Sequence, residues 1–99
     1  MNLNFTWDKN KATANRIKHK ISFEEAGTVF KTDPALLTIF DEEHSDEEDR
    51  WITIGVSNKR KLLIIVHTFD ETNSNNTVIR IISARKATRN ENKQYKKGI

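Results

Sequence analysis

The chain of 99 residues has no cysteine, one proline and only three glycines. The absence of cysteine excludes a disulfide framework and a thiolate metal site. Gly27, Gly55 and Gly98 are too widely spaced to form a phosphate-binding loop or a dinucleotide fingerprint. No serine lies in the glycine-flanked turn that presents many nucleophiles. Several common classes of enzyme site are therefore excluded at the outset.

Long apolar segments are also missing from the chain. No segment approaches the roughly 20 apolar residues of a membrane span, and residues 1–10 lack the apolar run of a signal peptide. Apolar residues make up 35% of the sequence and charged residues 31%, so the core must be small. We expect residues 1–99 to form one domain of a soluble, cytoplasmic protein that has no membrane partner.

Charge is distributed unequally along the chain, although its net value is only +3. Residues 80–99 contain seven Lys or Arg and one acid, Glu91, whereas residues 41–49, the acidic loop, contain seven acids and no Lys or Arg. The basic end is a candidate surface for an anionic polymer, and a solvated amphipathic helix is the alternative. The acidic loop lacks the spacing and the glycine of a calcium-binding loop, so a flexible hairpin explains it more simply. The three histidines are far apart, so we expect no metal and no cofactor.

Two helices are predicted near the N-terminus. Asp8 is a suitable cap for a helix over residues 9–19. Ser22 and Glu25 have the spacing of a capping box, and the apolar spacing that follows predicts a second helix that ends before Asp33-Pro34. After these helices, tight connections between apolar segments favour an antiparallel meander.

The sheet is predicted from four such segments. The strands cover residues 35–40, 51–57, 62–69 and 78–82, and residues 5–7 form a possible edge strand. Residues 70–77 read as a polar loop. Ser83 is a plausible cap for a C-terminal helix that extends to about Tyr95. The predicted fold is α+β, with two N-terminal helices, a four-stranded and mainly antiparallel sheet, and a C-terminal helix.

The remaining chemistry is phosphodiester cleavage without metal. Cleaving RNA through its own 2′-hydroxyl requires a base, an acid and cations that stabilise the phosphorane. Imidazole, carboxylate, phenol, ammonium and guanidinium groups can fill these roles. The candidates of these types are His67, Glu91, Tyr95, Arg50, Arg80 and Arg85, with Lys18, His19, Lys86 and Arg89 as further RNA contacts.

Each candidate also has a structural explanation. Arg80 can be a solvated strand residue, and His67 a buried histidine whose hydrogen bonds are satisfied. Glu91 can pair with a basic neighbour, and Tyr95 can anchor its helix. Arg50 can balance the acidic loop, and Lys18 and His19 can be plain helix-surface residues. No single residue decides between these interpretations.

The pattern as a whole resembles the BrnT toxin family of bacterial type II toxin–antitoxin systems. The resemblance extends from about Phe5 to Tyr95. The segments that carry it are Phe5-Thr6-Trp7-Asp8, Lys11-Ala12, Asn15, Lys18-His19, Ile21-Ser22-Phe23-Glu24-Glu25-Ala26, Val29-Phe30, Arg50, Val66-His67-Thr68, Ile79-Arg80-Ile81-Ile82-Ser83-Ala84-Arg85-Lys86-Ala87, Glu91 and Tyr95.

This resemblance implies a RelE-type ribonuclease that cleaves RNA and halts translation. It also implies a neutralising partner, a BrnA-like ribbon-helix-helix antitoxin, through which the complex binds operator DNA. The chain departs from the family pattern at Lys20, where Gly is usual and would relax a helix C-cap, at Phe69-Asp70 and at Asn92. These departures motivate an alternative, a degenerate toxin that serves only as an antitoxin-binding co-repressor scaffold. A basic RNA-binding module without cleavage is a third hypothesis.

Overall fold

The structure, a computed structural model, describes residues 2–73 and 75–98. No helix within these ranges is long and apolar enough to span a membrane. In chain order the elements are β1 (Asn2–Thr6), α1 (Lys9–His19), α2 (Phe23–Thr32), β2 (Leu37–Phe40), a 3₁₀ turn (Glu42–His44), β3 (Trp51–Val56), β4 (Leu62–His67), β5 (Asp70–Asn73), β6 (Asn76–Lys86) and α3 (Arg89–Lys97).

The sheet is mixed and contains six strands, in the order β1-β6-β4-β3-β2, with β5 paired to the first part of β6. β2, β3, β4 and β6 are antiparallel to their neighbours, as predicted, but β1 runs parallel to β6. The four-stranded prediction is therefore wrong in strand number. The segment predicted as a polar loop contains β5, which pairs with β6 in antiparallel orientation. Ser74 of that segment lies outside the described residues.

The largest correction concerns the last strand and helix. β6 continues past Ile82 to Lys86 because its later residues still pair with β4, so Ser83 is a strand residue and not a helix cap. Val66 lies opposite Ser83 and His67 opposite Ile81, which leaves Ile82 as an extra residue in a β-bulge.

The C-terminal helix begins after a different cap, Thr88. Its hydroxyl accepts a hydrogen bond from the Glu91 N–H at 3.2 Å, and the Thr88 N–H donates to the Glu91 carboxylate at 2.8 Å. These reciprocal bonds form a capping box, which stabilises the first turn of α3.

The two N-terminal helices begin where the sequence predicts. Asp8 accepts hydrogen bonds from two N–H groups of the first turn of α1, and the Ser22 hydroxyl accepts one from the Glu25 N–H. The Glu25 carboxylate does not complete a capping box and instead accepts a hydrogen bond from Ser57 Oγ at 2.8 Å. Lys20 ends α1 in the left-handed conformation, with φ of 63°.

The core lies between α1 and α2 and one face of the sheet, which we call the helix face. It contains the fully buried Phe23, Val29, Leu63, Ile65 and Ile79, with Ile21, Ala26, Ile81 and Ala84. A Cβ atom on Gly55 would lie 2.5 Å from Val29 Cγ1, so α2 approaches β3 too closely for a side chain there. This close approach fixes the sheet against α2.

Candidate functional site

The other face of the sheet, which we call the cleft face, carries the candidate arginines. Ile79 and Ile81 are buried in the core, so the alternation of β6 directs the intervening Arg80 to the cleft face. After the bulge, Ala84 is again buried, and Arg85 therefore lies on the same face as Arg80.

Arg80 and Arg50 are linked through one carboxylate of the acidic loop. The Arg80 guanidinium donates a hydrogen bond to Glu48, whose second oxygen lies 3.8 Å from Arg50 Nη2. The hydrogen bond from Arg80 lowers the pKa of the Glu48 carboxyl, with smaller contributions from the charges of Arg80 and Arg50. Arg50 Nε is buried and makes no hydrogen bond to any described residue. The two guanidinium groups are thus held together by a partly exposed, replaceable anion.

Arg85 has a stronger partner. Its two terminal nitrogens each donate a 2.8 Å hydrogen bond to Glu91, one to each carboxylate oxygen. This bidentate geometry is the principal reason that the pKa of Glu91 falls to about 2, and it raises the pKa of Arg85. The pair joins β6 to α3. The Glu91 carboxylate therefore has a structural role, because it holds α3 to Arg85 on β6.

A cleft of about 350 Å³ lies between the acidic loop and the cleft face. Its floor is apolar, formed by Ile52, Ile64, Val66 and Ile82. Its polar lining residues are Asp41, Glu43, His44, Arg50, Ser83 and Arg85. Arg50 and Arg85 therefore face one concave space, and Arg80 is linked to Arg50 through Glu48. A site of this type can accept an anion together with an apolar or aromatic group.

His67 is not part of this cleft. Its side chain is fully buried on the helix face, where Nδ1 donates to the Thr68 carbonyl at 3.0 Å and Nε2 accepts from Thr53 Oγ1 at 2.7 Å. Burial lowers the pKa of His67, so the neutral imidazole is favoured. Both ring nitrogens take part in hydrogen bonds, and neither is exposed to solvent. The described geometry therefore gives this residue a packing role and no route to a substrate.

Tyr95 is also separated from the arginine cleft. Its hydroxyl donates a 2.6 Å hydrogen bond to Asp33, which raises the pKa of Tyr95 to about 12. Burial acts to raise the pKa of Asp33, but bonds from Tyr95, Val56 and Ala35 outweigh it and the pKa is lowered. Glu91 and Tyr95 lie one turn apart in α3, but the first anchors the helix to Arg85 and the second anchors it to Asp33.

The predicted RNA contacts are spread over three places. Lys18 and His19 lie in the last turn of α1, which packs on the helix face through Asn15 and its hydrogen bonds to Ala84. Lys86 ends β6 and lines a second cleft together with Tyr95. Arg89 begins α3 and is exposed. These four residues do not share the cleft that holds Arg50 and Arg85.

Sequence reasoning missed one group of the cleft, a histidine–carboxylate pair in the acidic loop. His44 Nδ1 lies 3.0 Å and 3.1 Å from the two carboxylate oxygens of Asp41. The i, i+3 spacing was a possible signal, but it is informative only if the loop forms a helical turn, and the sequence predicted a flexible hairpin. Within residues 2–73 and 75–98, no group of three or more His, Asp or Glu residues is arranged to hold a metal ion.

Comparison with known proteins reveals one family and one similar fold. A family model described as the ribonuclease toxin BrnT of type II toxin–antitoxin systems matches residues 7–91. A 1.1 Å crystal structure of the Brucella abortus ribonuclease toxin BrnT superposes with a TM-score of 0.64 at 20% identity, over 89% of this chain and all of that chain. No curated protein sequence matches. Because the family model spans most of the sequence, the chain belongs to the BrnT family of ribonuclease toxins of type II toxin–antitoxin systems.

Proposed function

We propose that this chain is a metal-independent endoribonuclease of the RelE type, whose cleavage of RNA inhibits translation. The observation that carries the proposal is the grouping of Arg50, Arg80 and Arg85 on the cleft face, two of them in one cleft and the third linked through Glu48. Membership of a ribonuclease toxin family supports an RNA substrate.

The chemistry required of the arginines is electrostatic. When the 2′-oxygen attacks phosphorus, negative charge accumulates on the non-bridging oxygens of the phosphorane. Guanidinium groups fixed around that position stabilise the charge, and their planar donors match two phosphate oxygens at once. Arg85 is held in position by Glu91, whereas Arg50 and Arg80 can exchange the Glu48 carboxylate for a phosphate.

Exchange of one anion for another explains why the basic cleft faces an acidic loop. Glu48 is partly exposed, so its ion pair with Arg80 contributes little to stability and is screened by salt. A polyanion that brings several phosphates competes well against one carboxylate. In this proposal the acidic loop keeps the arginines ordered until RNA displaces Glu48.

The proposal extends to partners and location. We propose that residues 1–99 act as one toxin domain in the cytoplasm and that a BrnA-like ribbon-helix-helix antitoxin neutralises it. The complex would bind operator DNA only through the antitoxin. The family is defined by toxin–antitoxin systems, which supports the existence of such a partner. A basic cleft favours an acidic or apolar covering segment.

The test is RNA cleavage in EDTA by the purified chain. Structured RNA is the substrate in EDTA, ribosome-bound mRNA is offered separately in magnesium buffer because ribosomes dissociate in EDTA, and wild type is compared with Arg80→Ala on both. We expect fragments from wild type and a loss of about 10²–10³-fold in rate for Arg80→Ala, because a donor to the developing charge is removed. The matched control is Lys9→Ala, which removes one exposed positive charge on α1. It should cleave at the wild-type rate.

Two results would overturn the proposal. If the folded wild type cleaves neither substrate, the scaffold hypothesis gains the stronger support. If cleavage requires a divalent cation, the metal-independent mechanism is wrong. Circular dichroism of each variant verifies that loss of cleavage is not loss of fold.

A further inference from the structure

The Asp41–His44 pair has the geometry of a proton-transfer dyad. The Asp41 side chain is only 10% exposed, whereas that of His44 is 62% exposed. The carboxylate therefore lies at the base of the pair and accepts the Nδ1–H, at 3.0 Å and 3.1 Å from its two oxygens. This arrangement leaves the lone pair on Nε2, directed away from Asp41. An imidazole oriented by a buried carboxylate in this way can accept a proton from a substrate.

The loop that carries the pair is held by hydrogen bonds at its neck. The Asp41 N–H donates to the Arg50 carbonyl at 2.9 Å. Ser45 bridges the same two residues, since its hydroxyl donates to the Asp41 carbonyl and accepts from the Arg50 N–H at 3.0 Å. These hydrogen bonds fix the position of the dyad relative to Arg50, although the seven acidic side chains of the loop repel one another.

The dyad and the arginines face the same space. Asp41, His44, Arg50 and Arg85 all line the 350 Å³ cleft, and Glu43 is the one further charged residue of its described lining. A phosphate bound by the two arginines would lie within the same cleft as the imidazole. The cleft therefore combines cations for the phosphorane with a group that can move a proton.

The candidates for the base that the sequence predicted are occupied elsewhere. His67 is fully buried on the helix face. Glu91 is engaged by Arg85 through both oxygens, and Tyr95 donates its proton to Asp33 beside a different cleft. His44 is the imidazole that both reaches the arginine cleft and remains exposed.

We propose that His44 is the general base of RNA cleavage and that Asp41 is its positioning residue; this rests on the proposed ribonuclease function. The ribose 2′-hydroxyl gives its proton to His44 Nε2 while its oxygen forms a bond to phosphorus. The P–O5′ bond breaks, and its electron pair remains on O5′, which takes a proton from solvent water. The imidazolium then returns its proton to the hydroxide left in solution. The products are a 2′,3′-cyclic phosphate and a 5′-hydroxyl end.

The experiment measures single-turnover cleavage of RNA, with the substrates and buffers of the ribonuclease test. Wild type is compared with His44→Ala and with the control Glu42→Gln, which changes an exposed residue of the same 3₁₀ turn outside the described cleft lining. We expect His44→Ala to lose about 10²–10⁴-fold in rate, because removing a general base has effects of that order. Added imidazole should restore part of the rate, and Glu42→Gln should remain within twofold of wild type.

Asp41→Asn tests the positioning role. We expect a loss of about 10–100-fold in the maximal rate, with the half-saturating RNA concentration within twofold of wild type, because the imidazole is misoriented while the arginines are intact.

The outcomes separate the two proposals. If wild type cleaves and His44→Ala cleaves within threefold of it, the His44 assignment is wrong and the ribonuclease function stands. A loss that imidazole does not restore also contradicts proton transfer by His44. If wild type does not cleave, both proposals are overturned.

Discussion

The two faces of the sheet differ in which of their residues are buried, and β3 shows this difference clearly. On the helix face β3 presents Thr53 and Gly55, which are small or polar and are buried, Gly55 against Val29 of α2. On the cleft face it presents Ile52, Ile54 and Val56, which are only partly buried. Burial here does not follow hydrophobicity. At Gly55 the close approach of α2 leaves no room for a side chain, so the spacing between the layers determines the residue that fits there.

Polar groups on the two faces also differ in how they are paired. On the helix face Asn15 bonds to the backbone of Ala84, and His67 bonds to Thr53 and the Thr68 carbonyl. Ala84 and Thr53 are fully buried, so these polar groups have fixed partners within the fold. On the cleft face Arg80 has an exposed carboxylate partner, and Arg50 Nε has no described partner. The packed core and its fixed polar pairs therefore lie on the helix face, whereas the charges that a ligand could displace lie on the cleft face.

The largest expected effect is on the helix face. Phe23→Ala removes a fully buried ring that packs against Trp7, so the free energy of unfolding should fall by about 3–5 kcal/mol. Urea unfolding followed by tryptophan fluorescence measures this change. The matched substitution is Ile39→Ala on β2, whose side chain is 59% exposed; it should change the free energy of unfolding by less than about 1 kcal/mol. Equal decreases in the free energy of unfolding for the two variants would contradict the view that the packed core lies on the helix face.

A smaller effect is expected where α3 joins the cleft face. The pKa of Glu91 is about 2 in the folded chain and 4.5 ordinarily, so ionised Glu91 stabilises the fold. This contribution is fully present above about pH 4.5 and is lost as the pH falls towards 2. We assign it about 1–2 kcal/mol, reduced from the full shift because the pair is near the surface.

Glu91→Gln should therefore unfold more easily at pH 7 and lose less stability between pH 4.5 and 2 than wild type does. Some pH dependence should remain, because the pKa of Asp33 is lowered as well. Urea unfolding at a series of pH values measures both slopes. Parallel slopes in wild type and variant would contradict a structural role for the Arg85–Glu91 pair.

Much of the N-terminal half could be predicted from sequence because its signals are local. Asp8 and Ser22 cap the two helices as predicted, and β1 was anticipated as a possible edge strand over residues 5–7. Lys20 was identified as a C-cap position from a departure in the family pattern, and it adopts the left-handed conformation. The helix caps depend on residues within one or two turns of the chain, whereas β1 pairs with the distant β6 and covers Asn2–Thr6, so its bounds were predicted less well.

The C-terminal half could not be predicted as well because its structure depends on distant pairing. Ser83 looks like a helix cap in isolation, but pairing with Val66 on β4 keeps it in the strand. Thr88 and Glu91 have the spacing of a capping box, which marks the start of α3. The grouping of Arg50 with Arg85, and of both with His44, requires the sheet to bring residues from separate strands and a loop together.

The most direct test of the central claim is the salt dependence of RNA binding. A 2′-O-methyl RNA cannot cleave itself, since it lacks the nucleophile, so its equilibrium affinity can be measured over a range of KCl concentrations. Each phosphate contact to a single strand contributes about 0.7 to the slope of log affinity against log salt concentration. If Arg80 contacts phosphate from the cleft face, Arg80→Ala should reduce the slope by about 0.7, while Lys9→Ala leaves it unchanged. An Arg80→Ala slope equal to that of wild type would contradict the account.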